Sequence, residues 1–394
     1  MDCQFQPSGM VYSCQYCGTV KRQPTRRNCP VGGGLGDAVA AFTSRFGIKP
    51  CGGCKKRQRW LNSVIPWRER PDVVLFFPRG ADPDWMETRG ELVGRLLEKN
   101  GKTAYLVQPE TKDAGALLEV VKTLKPRLLV NRAFFIDQAH IRTVAKQYPG
   151  TRFVTVNHSS YAYTQANDRW VREQAHAIKL AAELPNVFLA HVDERAIMGR
   201  LGLKRCIYLP NVVTPPDDQQ GPAVDPQQGM VSVTGRWHMV KNQLQQLMAV
   251  KLAGQRALLV MKGRENLQEM TAAAIGLDFE LLPWQSWRSW HQVIHQRVVV
   301  GMQASFSESF NYVALEHMQQ GRPVVGSPAV RYLPDSWQAN PDSPADMALI
   351  LRRHLADYPG ASERARAVAG KVAERNNSTF LEVIDRLLSS KSAF

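Results

Sequence analysis

Residues 305–325 read Ser305-Phe-Ser-Glu-Ser-Phe-Asn-Tyr-Val-Ala-Leu-Glu-His-Met-Gln-Gln-Gly-Arg-Pro-Val-Val325, and this stretch carries the strongest signal in the chain. Its two carboxylates, Glu308 and Glu316, have seven residues between them. The pattern predicts a helix that starts at Glu308, with Glu316 two turns later and the two side chains about 80° apart around the axis. Gly321 is predicted to end the helix, and Pro-Val-Val to form a buried strand. A strand end followed by two acids on one helix suits the binding of a nucleotide-linked sugar.

The size and composition indicate a folded protein with more than one domain. The 394 residues are enough for two domains of ordinary size and a small appendage. A hydrophobic fraction of 44% with 22% charged residues is typical of a folded soluble protein. The first residues lack the basic and apolar regions of a secretory signal, and no apolar run approaches the ~18 residues of a membrane span. We therefore expect a cytoplasmic location.

Positive charge is concentrated near the N-terminus. The net charge is +15, and residues 1–70 contain 12 Lys and Arg against 3 Asp and Glu, which places +9 of the total there. Such a surface attracts polyanions, with nucleic acid first and an anionic membrane second. A merely soluble basic protein is the plainer alternative, but the concentration of charge in one segment favours a polyanionic partner.

Two stretches of the chain alternate short apolar runs with helical patterns. This alternation predicts, in each stretch, a parallel sheet covered by helices on both faces. A linker rich in Pro, Gly and Gln separates the two stretches. The predicted strands are Val73–Phe77, Thr103–Val107, Arg127–Val130, Phe153–Val156, Val187–Ala190 and Cys206–Leu209 in the first stretch, and Val231–Thr234, Ala257–Val260, Phe279–Leu282, Val298–Gly301 and Pro323–Val325 in the second; an amphipathic helix is predicted at Ser378–Leu388.

A candidate diphosphate site follows the first strand of the second stretch, in Thr234-Gly-Arg-Trp-His-Met-Val-Lys-Asn242. Gly235 allows a tight turn there. Arg236 and Lys241 are cations at a strand end and a helix start, where a diphosphate finds paired positive charge and N–H donors. Alone this motif is unspecific, because such cations usually belong to a solvated face. Together with the two-carboxylate stretch of the same region it is specific.

The combined pattern is Gly-Arg-x4-Lys-Asn, Met-Lys-Gly263, Glu-x7-Glu and Gly-x-Pro-Val-Val, and it resembles retaining GT-B glycosyltransferases of the family-4 type. The resemblance covers residues 230–330 well. It extends loosely to residues 71–213, where Leu209-Pro-Asn-Val-Val resembles the family's stretch before its domain linker. The resemblance implies an α/β GT-B fold, in which two Rossmann-like domains face each other across a cleft, with a small N-terminal module in addition.

The resemblance also implies roles for individual residues. Arg236 and Lys241 would hold the donor diphosphate, and Glu316 would accept hydrogen bonds from the ribose hydroxyls. Glu308 would contact the transferred sugar near its reacting carbon. The expected donor is a UDP-sugar. Cations and a helix N-terminus would stabilise the leaving diphosphate, and a carboxylate the positive anomeric carbon, so no catalytic metal is expected.

The chain departs from the family at the loop that should approach the phosphates. Glu-Gly-Phe-Gly is usual there, whereas this chain has Glu308-Ser-Phe-Asn311. Glycine lets the backbone come close to a phosphate, but Ser309 and Asn311 still offer N–H donors. We include Ser309, Phe310, Asn311 and Gly263 among the donor-binding residues. Trp284 could stack on the nucleobase, although packing into the core and surface is the plainer alternative.

Candidate residues of the first domain follow its predicted strands. His158, in Thr155-Val-Asn-His158, could approach the sugar or the acceptor and move a proton, or it could be a structural histidine. The loop Phe77-Pro-Arg-Gly-Ala-Asp82 would line the cleft. In it, Arg79 and Gly80 could meet a phosphate, and Asp82 could serve as a base.

The N-terminal region has the spacing of a metal site. Two Cys-x-x-Cys pairs with 33 residues between them predict zinc, and intracellular cysteines favour metal over disulfides. The ligands could be the two pairs, or the first four cysteines; an iron–sulfur cluster and free thiols are the alternatives. The candidate ligands are Cys3, Cys14, Cys17, Cys29, Cys51 and Cys54.

Basic side chains surround these cysteines and predict a nucleic-acid clamp. Phage enzymes that glycosylate hydroxymethylated bases in DNA need such a clamp, and some have the GT-B fold; their target base must leave the stack. If a phage encodes the chain, its location is the host cytoplasm. The residues are Lys21, Arg22, Arg26, Arg27, Lys55, Lys56, Arg57 and Arg59.

We therefore predict a glycosyltransferase that moves a sugar, with retention, from a nucleotide-sugar to a hydroxymethylated pyrimidine in DNA. One alternative keeps the activity but uses a membrane lipid or polysaccharide as acceptor, with peripheral membrane contact through the basic region. A second is a non-catalytic, zinc-dependent DNA-binding protein. The predicted parts are a zinc module (1–67), an acceptor domain (68–213), a linker (214–229), a donor domain (230–375) and a C-terminal helix (376–394).

Overall fold

Two parallel α/β sheets make up most of the described structure. The computed structural model describes residues 5–8, 11–14, 20–21, 70–76, 83–107, 114–132, 136–193, 203, 205–214, 224–262 and 265–389. Three short strands near the N-terminus form a small antiparallel sheet in the order β1-β2-β3, and they are β1 (Phe5–Ser8), β2 (Val11–Cys14) and β3 (Val20–Lys21). No helix within the described ranges combines the length and apolarity that crossing a membrane requires.

The first large sheet has six parallel strands in the order β5-β4-β6-β7-β8-β9. Its strands are runs of Val, Leu and Phe without polar alternation, because helices cover both faces. The strands are β4 (Val73–Phe76), β5 (Ala104–Val107), β6 (Leu128–Arg132), β7 (Arg152–Asn157), β8 (Val187–His191) and β9 (Cys206–Tyr208), and the helices are α1 (Pro83–Lys99), α2 (Ala114–Leu124), α3 (Gln138–Gln147), α4 (Tyr161–Gln165) and α5 (Asp168–Glu183).

The second large sheet has five parallel strands in the order β12-β11-β10-β13-β14. In each large sheet the first strand along the chain has neighbours on both sides, so the strand order reverses beside it. Ligands of such sheets bind at the carboxyl ends of the strands at this reversal. The elements are β10 (Met230–Arg236), α6 (Gln243–Leu252), β11 (Ala257–Lys262), α7 (Glu265–Ala274), β12 (Phe279–Leu282), α8 (Trp287–Arg297), β13 (Val298–Gln303), α9 (Tyr312–Gln319), β14 (Val324–Gly326), α10 (Pro344–Ala356) and α11 (Tyr358–Leu388).

All eleven predicted strands of the two large sheets are confirmed, with ends that differ by at most two residues. The prediction for the helix around Glu308 was wrong, because α9 begins only at Tyr312. Asn311 has φ 57°, in the left-handed region, and its side chain accepts a hydrogen bond from the backbone N–H of Ala314, which starts the helix there. Glu308 therefore lies in the preceding loop. Gly321 ends α9 with φ 69°, as predicted.

Helix α11 connects the two large sheets. Its first half, from Ala365 to Ala373, packs against α9 and β14 of the second sheet. Its second half, from Phe380 to Leu388, joins the core formed by Val73 and Leu75 of the first sheet. The predicted helix at 378–388 is thus the end of a 31-residue helix that continues across residue 375 without a break.

Two buried histidines make the stability of this fold depend on pH. His317 in α9 is completely buried, with Nδ1 at 2.7 Å from the Val313 carbonyl and Nε2 at 2.5 Å from the Ser232 hydroxyl. Burial lowers the pKa of His317 from 6.5 to about 4, and burial likewise lowers the pKa of His354 in α10 to about 4. Both side chains are therefore neutral in the folded protein at neutral pH.

We expect the free energy of unfolding to fall as the pH drops from 6.5 towards 4. In this window the unfolded chain binds protons at both positions while the folded chain does not, so each histidine costs up to ~1.4 kcal/mol per pH unit. Urea midpoints between pH 7.5 and 5 measure the effect. His317→Gln or His354→Gln should flatten the dependence, whereas the exposed control His176→Gln should not. An unchanged slope in both buried variants would contradict this explanation.

Candidate active site

The candidate site lies at the carboxyl ends of β10 and β13, where the strand order of the second sheet reverses. Gly235 near the end of β10 has φ 148°, which side chains rarely permit, but it still pairs with Met261 within the sheet, so the predicted tight turn does not occur at this residue. The Asn242 amide then donates hydrogen bonds to the carbonyls of Ala304 (3.0 Å) and Pro341 (2.6 Å). Asn242 thereby fastens the loop after β10 to the loop after β13.

Lys241 and Glu308 meet at this junction. Lys241 Nζ lies 2.6 Å from Glu308 Oε1, and the same oxygen accepts hydrogen bonds from Ser305 Oγ (2.7 Å) and Asn311 Nδ2 (3.1 Å). The Glu308 side chain is only 7% exposed, whereas that of Lys241 is 32% exposed. Three donors on one oxygen hold the carboxylate in a single position, and about a third of the Lys241 side chain remains exposed.

The loop from Glu308 to Asn311 is held at both ends. Asn311 Nδ2 also donates to Gln303 Oε1 (3.1 Å), and the Tyr332 hydroxyl donates to the Asn311 carbonyl. Burial raises the pKa of the Tyr332 phenol well above 10, and the carboxylates of Glu308 and Glu316 raise it further. Tyr332 therefore stays protonated and remains a hydrogen-bond donor to this loop.

Glu316 and the tryptophans lie beside this loop. Glu316 is buried in α9, and its Oε1 accepts a hydrogen bond from Trp287 Nε1 at 3.3 Å. Trp290 belongs to the core with 1% exposure. Trp284 is half-buried, and Lys262 Nζ at the end of β11 lies 5.7 Å from its ring centroid. Trp284 thus has a cation beside its ring at the carboxyl end of the sheet.

Arg236 is exposed at the end of β10, and its carbonyl accepts a hydrogen bond from Gln243. Arg236 is the last residue of β10, and Lys241 lies five residues later, just before helix α6, as the sequence predicted. Phe310 is half-buried and packs edge-on against Tyr312, at 4.9 Å between ring centroids.

His158 of the first sheet faces this loop across the cleft. It follows β7 directly, and its main-chain carbonyl accepts a hydrogen bond from the Ser309 hydroxyl. Its ring Nε2 lies 2.9 Å from Arg132 Nε, and Arg132 also donates to Asn211 Oδ1 at 3.2 Å. The structure therefore brings His158, Ser309 and Glu308 together from the two sheets.

Several predicted residues lie outside the described ones, so their arrangement stays a prediction. They include the cleft loop with Arg79, Gly80 and Asp82, together with Gly263. The cysteines and basic residues of the N-terminal region also belong here, except that Cys14 and Lys21 are placed in strands by their backbone. Within the ranges that the structure describes, no three His, Cys, Asp or Glu side chains cluster as metal ligands would.

Sequence reasoning missed the residues that hold the site in place. Ser305, Gln303 and Tyr332 position the Glu308 loop, and Arg132 contacts His158. A signal was available for two of them, because Gln303 and Arg132 are polar residues at the carboxyl ends of buried strands. Ser305 and Tyr332 carried no such signal, since each depends on where a loop folds back.

The overall structure is similar to those of solved glycosyltransferases. Sucrose-phosphate synthase from Thermosynechococcus elongatus matches with a TM-score of 0.61 and 14% identity, over 82% of this chain and 100% of that one. A glycosyltransferase from Rickettsia africae matches with a TM-score of 0.59 and 12% identity, over 82% and 100%. The trehalose-6-phosphate protein of E. coli bound to UDP-2-fluoro-glucose matches with 0.58 and 13%, over 81% and 99%.

These likenesses confirm the predicted GT-B fold. No protein-family model and no curated protein sequence matches the chain. At identities of this level the likeness extends to the fold alone, and the chemistry has to be argued from the residues of the site.

Proposed function

We propose that the chain is a glycosyltransferase that uses a nucleotide-sugar donor. The observation that carries this proposal is the Lys241–Glu308 pair at the strand-order reversal of the second sheet, next to Ser309, whose hydroxyl bonds to the main-chain carbonyl of His158 in the first domain. A half-buried cation beside a fixed carboxylate suits a reaction in which a sugar–phosphate bond breaks. The diphosphate gains negative charge as it leaves, and the anomeric carbon gains positive charge.

The residues divide this work between them. Lys241 and the exposed Arg236 would bind the diphosphate and stabilise its charge as it leaves. Glu308, held by Ser305 and Asn311, would stabilise the anomeric carbon on the donor's sugar. Glu316 would accept hydrogen bonds from the ribose, and Trp284 would stack on the base. Transfer with retention is part of the proposal, on the strength of the resemblance to family-4 enzymes.

The acceptor that we propose is a 5-hydroxymethylated pyrimidine in DNA. Its support is the charge of the first 70 residues, +9, together with the cysteine spacing that predicts a zinc-bound module in the same segment. A lipid acceptor would leave the site chemistry unchanged. An experiment on the whole chain therefore has to distinguish between these two acceptors.

We expect sugar transfer to DNA that contains hydroxymethylcytosine or hydroxymethyluracil, and none to unmodified DNA. UDP-glucose is the first donor to test, because the E. coli protein of the same fold binds UDP-2-fluoro-glucose. Nucleoside mass spectrometry detects a gain of one hexose on the modified base. Metal analysis of the same preparation tests the zinc module. A preparation that contains neither zinc nor iron would contradict the prediction of a metal-bound module.

Each outcome of this experiment points to a different conclusion. Transfer to a lipid extract with none to modified DNA would replace DNA by a lipid acceptor. DNA binding without donor hydrolysis or transfer, over a panel of nucleotide-sugars, would support the non-catalytic DNA-binding protein instead.

A further inference from the structure

Ser309 connects the two halves of the cleft. It follows Glu308 directly, and its hydroxyl donates a hydrogen bond to the main-chain carbonyl of His158, which belongs to the other sheet. Ser309 stands where the resembling family usually has glycine, which has no side chain to make such a bond. The departure from the family pattern therefore creates a contact between the donor loop and the acceptor side.

The loop that carries Ser309 is anchored on the donor side. Glu308 is held by Lys241, Ser305 and Asn311, and Asn311 starts helix α9 with its side chain. A movement of Ser309 relative to the second sheet would break these bonds. The bond from the Ser309 hydroxyl to His158 therefore fixes the first domain to a loop that is itself held on the second sheet.

The acceptor side is anchored as well. Arg132 holds His158 at 2.9 Å and also holds Asn211 at 3.2 Å. The Asn211 carbonyl accepts a hydrogen bond from Asn376 Nδ2 at 3.1 Å, and Asn376 is buried in α11, the helix that packs on both sheets. Peptide bonds and hydrogen bonds together thus link Glu308, through Ser309 and His158, to helix α11, which packs on both sheets.

The described residues make further contacts between the two halves, among them a hydrogen bond from the Tyr312 hydroxyl to the Val212 carbonyl at 3.5 Å. Arg331 Nη1 lies 4.0 Å from Asp193 Oδ1, and the Arg331 side chain is 50% exposed, where an ion pair contributes little. The rings of Tyr163 and His238 are 4.9 Å apart between centroids. Ser309 differs from these residues because it follows Glu308 directly in the sequence and also contacts the other domain.

We propose that Ser309 is a positioning residue that latches the donor loop to the acceptor domain. When the cleft closes, the Ser309–His158 bond sets the separation between Glu308 and the acceptor side, and it releases when the cleft opens. This proposal rests on the proposed function for its effect on turnover, but not for its effect on closure. A latch of this kind acts after the donor has bound, so it changes kcat more than the donor KM.

The test compares Ser309→Ala with Ser309→Thr, which keeps the hydroxyl group, and with Ser307→Ala as a matched control in the same loop. We expect Ser309→Ala to lower kcat about two- to ten-fold, the range of one hydrogen bond, with the donor KM within two-fold. Ser309→Thr should restore most of kcat, and Ser307→Ala should resemble the unaltered protein. Hydrogen exchange of peptides that span residues 155–163 should be faster in Ser309→Ala alone.

Two results would overturn the proposal. One is a Ser309→Ala variant with unchanged kcat and unchanged exchange at residues 155–163. The other is equal impairment of Ser309→Ala and Ser309→Thr, which would indicate loop packing and not the hydroxyl group. The exchange measurement needs no turnover. It therefore tests the contact between Ser309 and His158 even if the protein proves not to be a glycosyltransferase.

Discussion

Glu308→Gln should lower kcat for glycosyl transfer by about 10²-fold or more, because in the proposed reaction it removes the charge that stabilises the anomeric carbon. Glutamine has the shape of glutamate, and its carbonyl oxygen can still accept from Ser305 and Lys241. The fold and donor binding should therefore survive, and the loss should fall on kcat. Steady-state rates of transfer, or of donor hydrolysis where no acceptor is supplied, measure it.

The matched control is Glu269→Gln, which neutralises an exposed glutamate on α7 of the same domain. It should leave the rate within about two-fold, since it changes the net charge equally but lies outside the loops of the site. Retention of most of the activity in Glu308→Gln would show that the carboxylate does not act at the reacting carbon. Circular dichroism of both variants separates a loss of catalysis from a loss of folding.

Arg322→Met should lower the free energy of unfolding more than the other substitutions proposed for this protein. Arg322 follows Gly321 in the stretch that ends α9, and it is only 2% exposed. Its guanidinium donates to the carbonyls of His295 (2.7 Å) and Ile294 (3.4 Å) in the last turn of α8, and to the Tyr358 hydroxyl (2.8 Å). It therefore supplies a donor to the His295 carbonyl at the buried helix end, whereas the Ile294 carbonyl also accepts a hydrogen bond from the Val298 backbone N–H.

Methionine fills much of the same volume but donates nothing. We expect a loss of about 3 kcal/mol or more, because buried acceptors that lose a charged donor bear the full cost of desolvation. At ~2–4 °C per kcal/mol for domains of this size, the melting temperature should drop by roughly 6 to 12 °C in calorimetry. The control Arg353→Met removes an exposed arginine from α10 and should stay within about 0.5 kcal/mol. Equal melting temperatures for Arg322→Met and this control would contradict the prediction.

The fold could be predicted from sequence because its signals are local. Runs such as Val298–Gln303 are apolar at nearly every position, which identifies a strand buried on both faces, and turns and helices separate these runs. The order of the strands within each sheet came from the structure, and the two-domain arrangement was implied by the resemblance. Lys241 and Glu308 were found by the same local reasoning and do meet.

The start of α9 was predicted wrongly although Asn311 carried a local signal, because asparagine is a preferred N-cap residue and its side chain caps the Ala314 N–H. Asn311 adopts a left-handed backbone conformation, and the hydroxyl group of Tyr332 donates to its carbonyl from 21 residues further along the chain. The prediction from helical periodicity alone extended the helix back to Glu308. It therefore placed Glu308 and Glu316 on the same face of that helix. The structure places Glu308 in a loop instead, where Lys241, Ser305 and Asn311 can all reach one oxygen atom.

The sequence by itself determined the two α/β sheets, the cations after β10 and the acids around α9, since each of these follows from residues close together in the chain. Only the tertiary structure decided which side chains meet. It brought Ser309 to His158 from 151 residues away and Asn376 to Asn211 from 165. Such contacts depend on how separate elements pack. The sequence around a hydroxyl or amide group does not show which distant residue it will bond to.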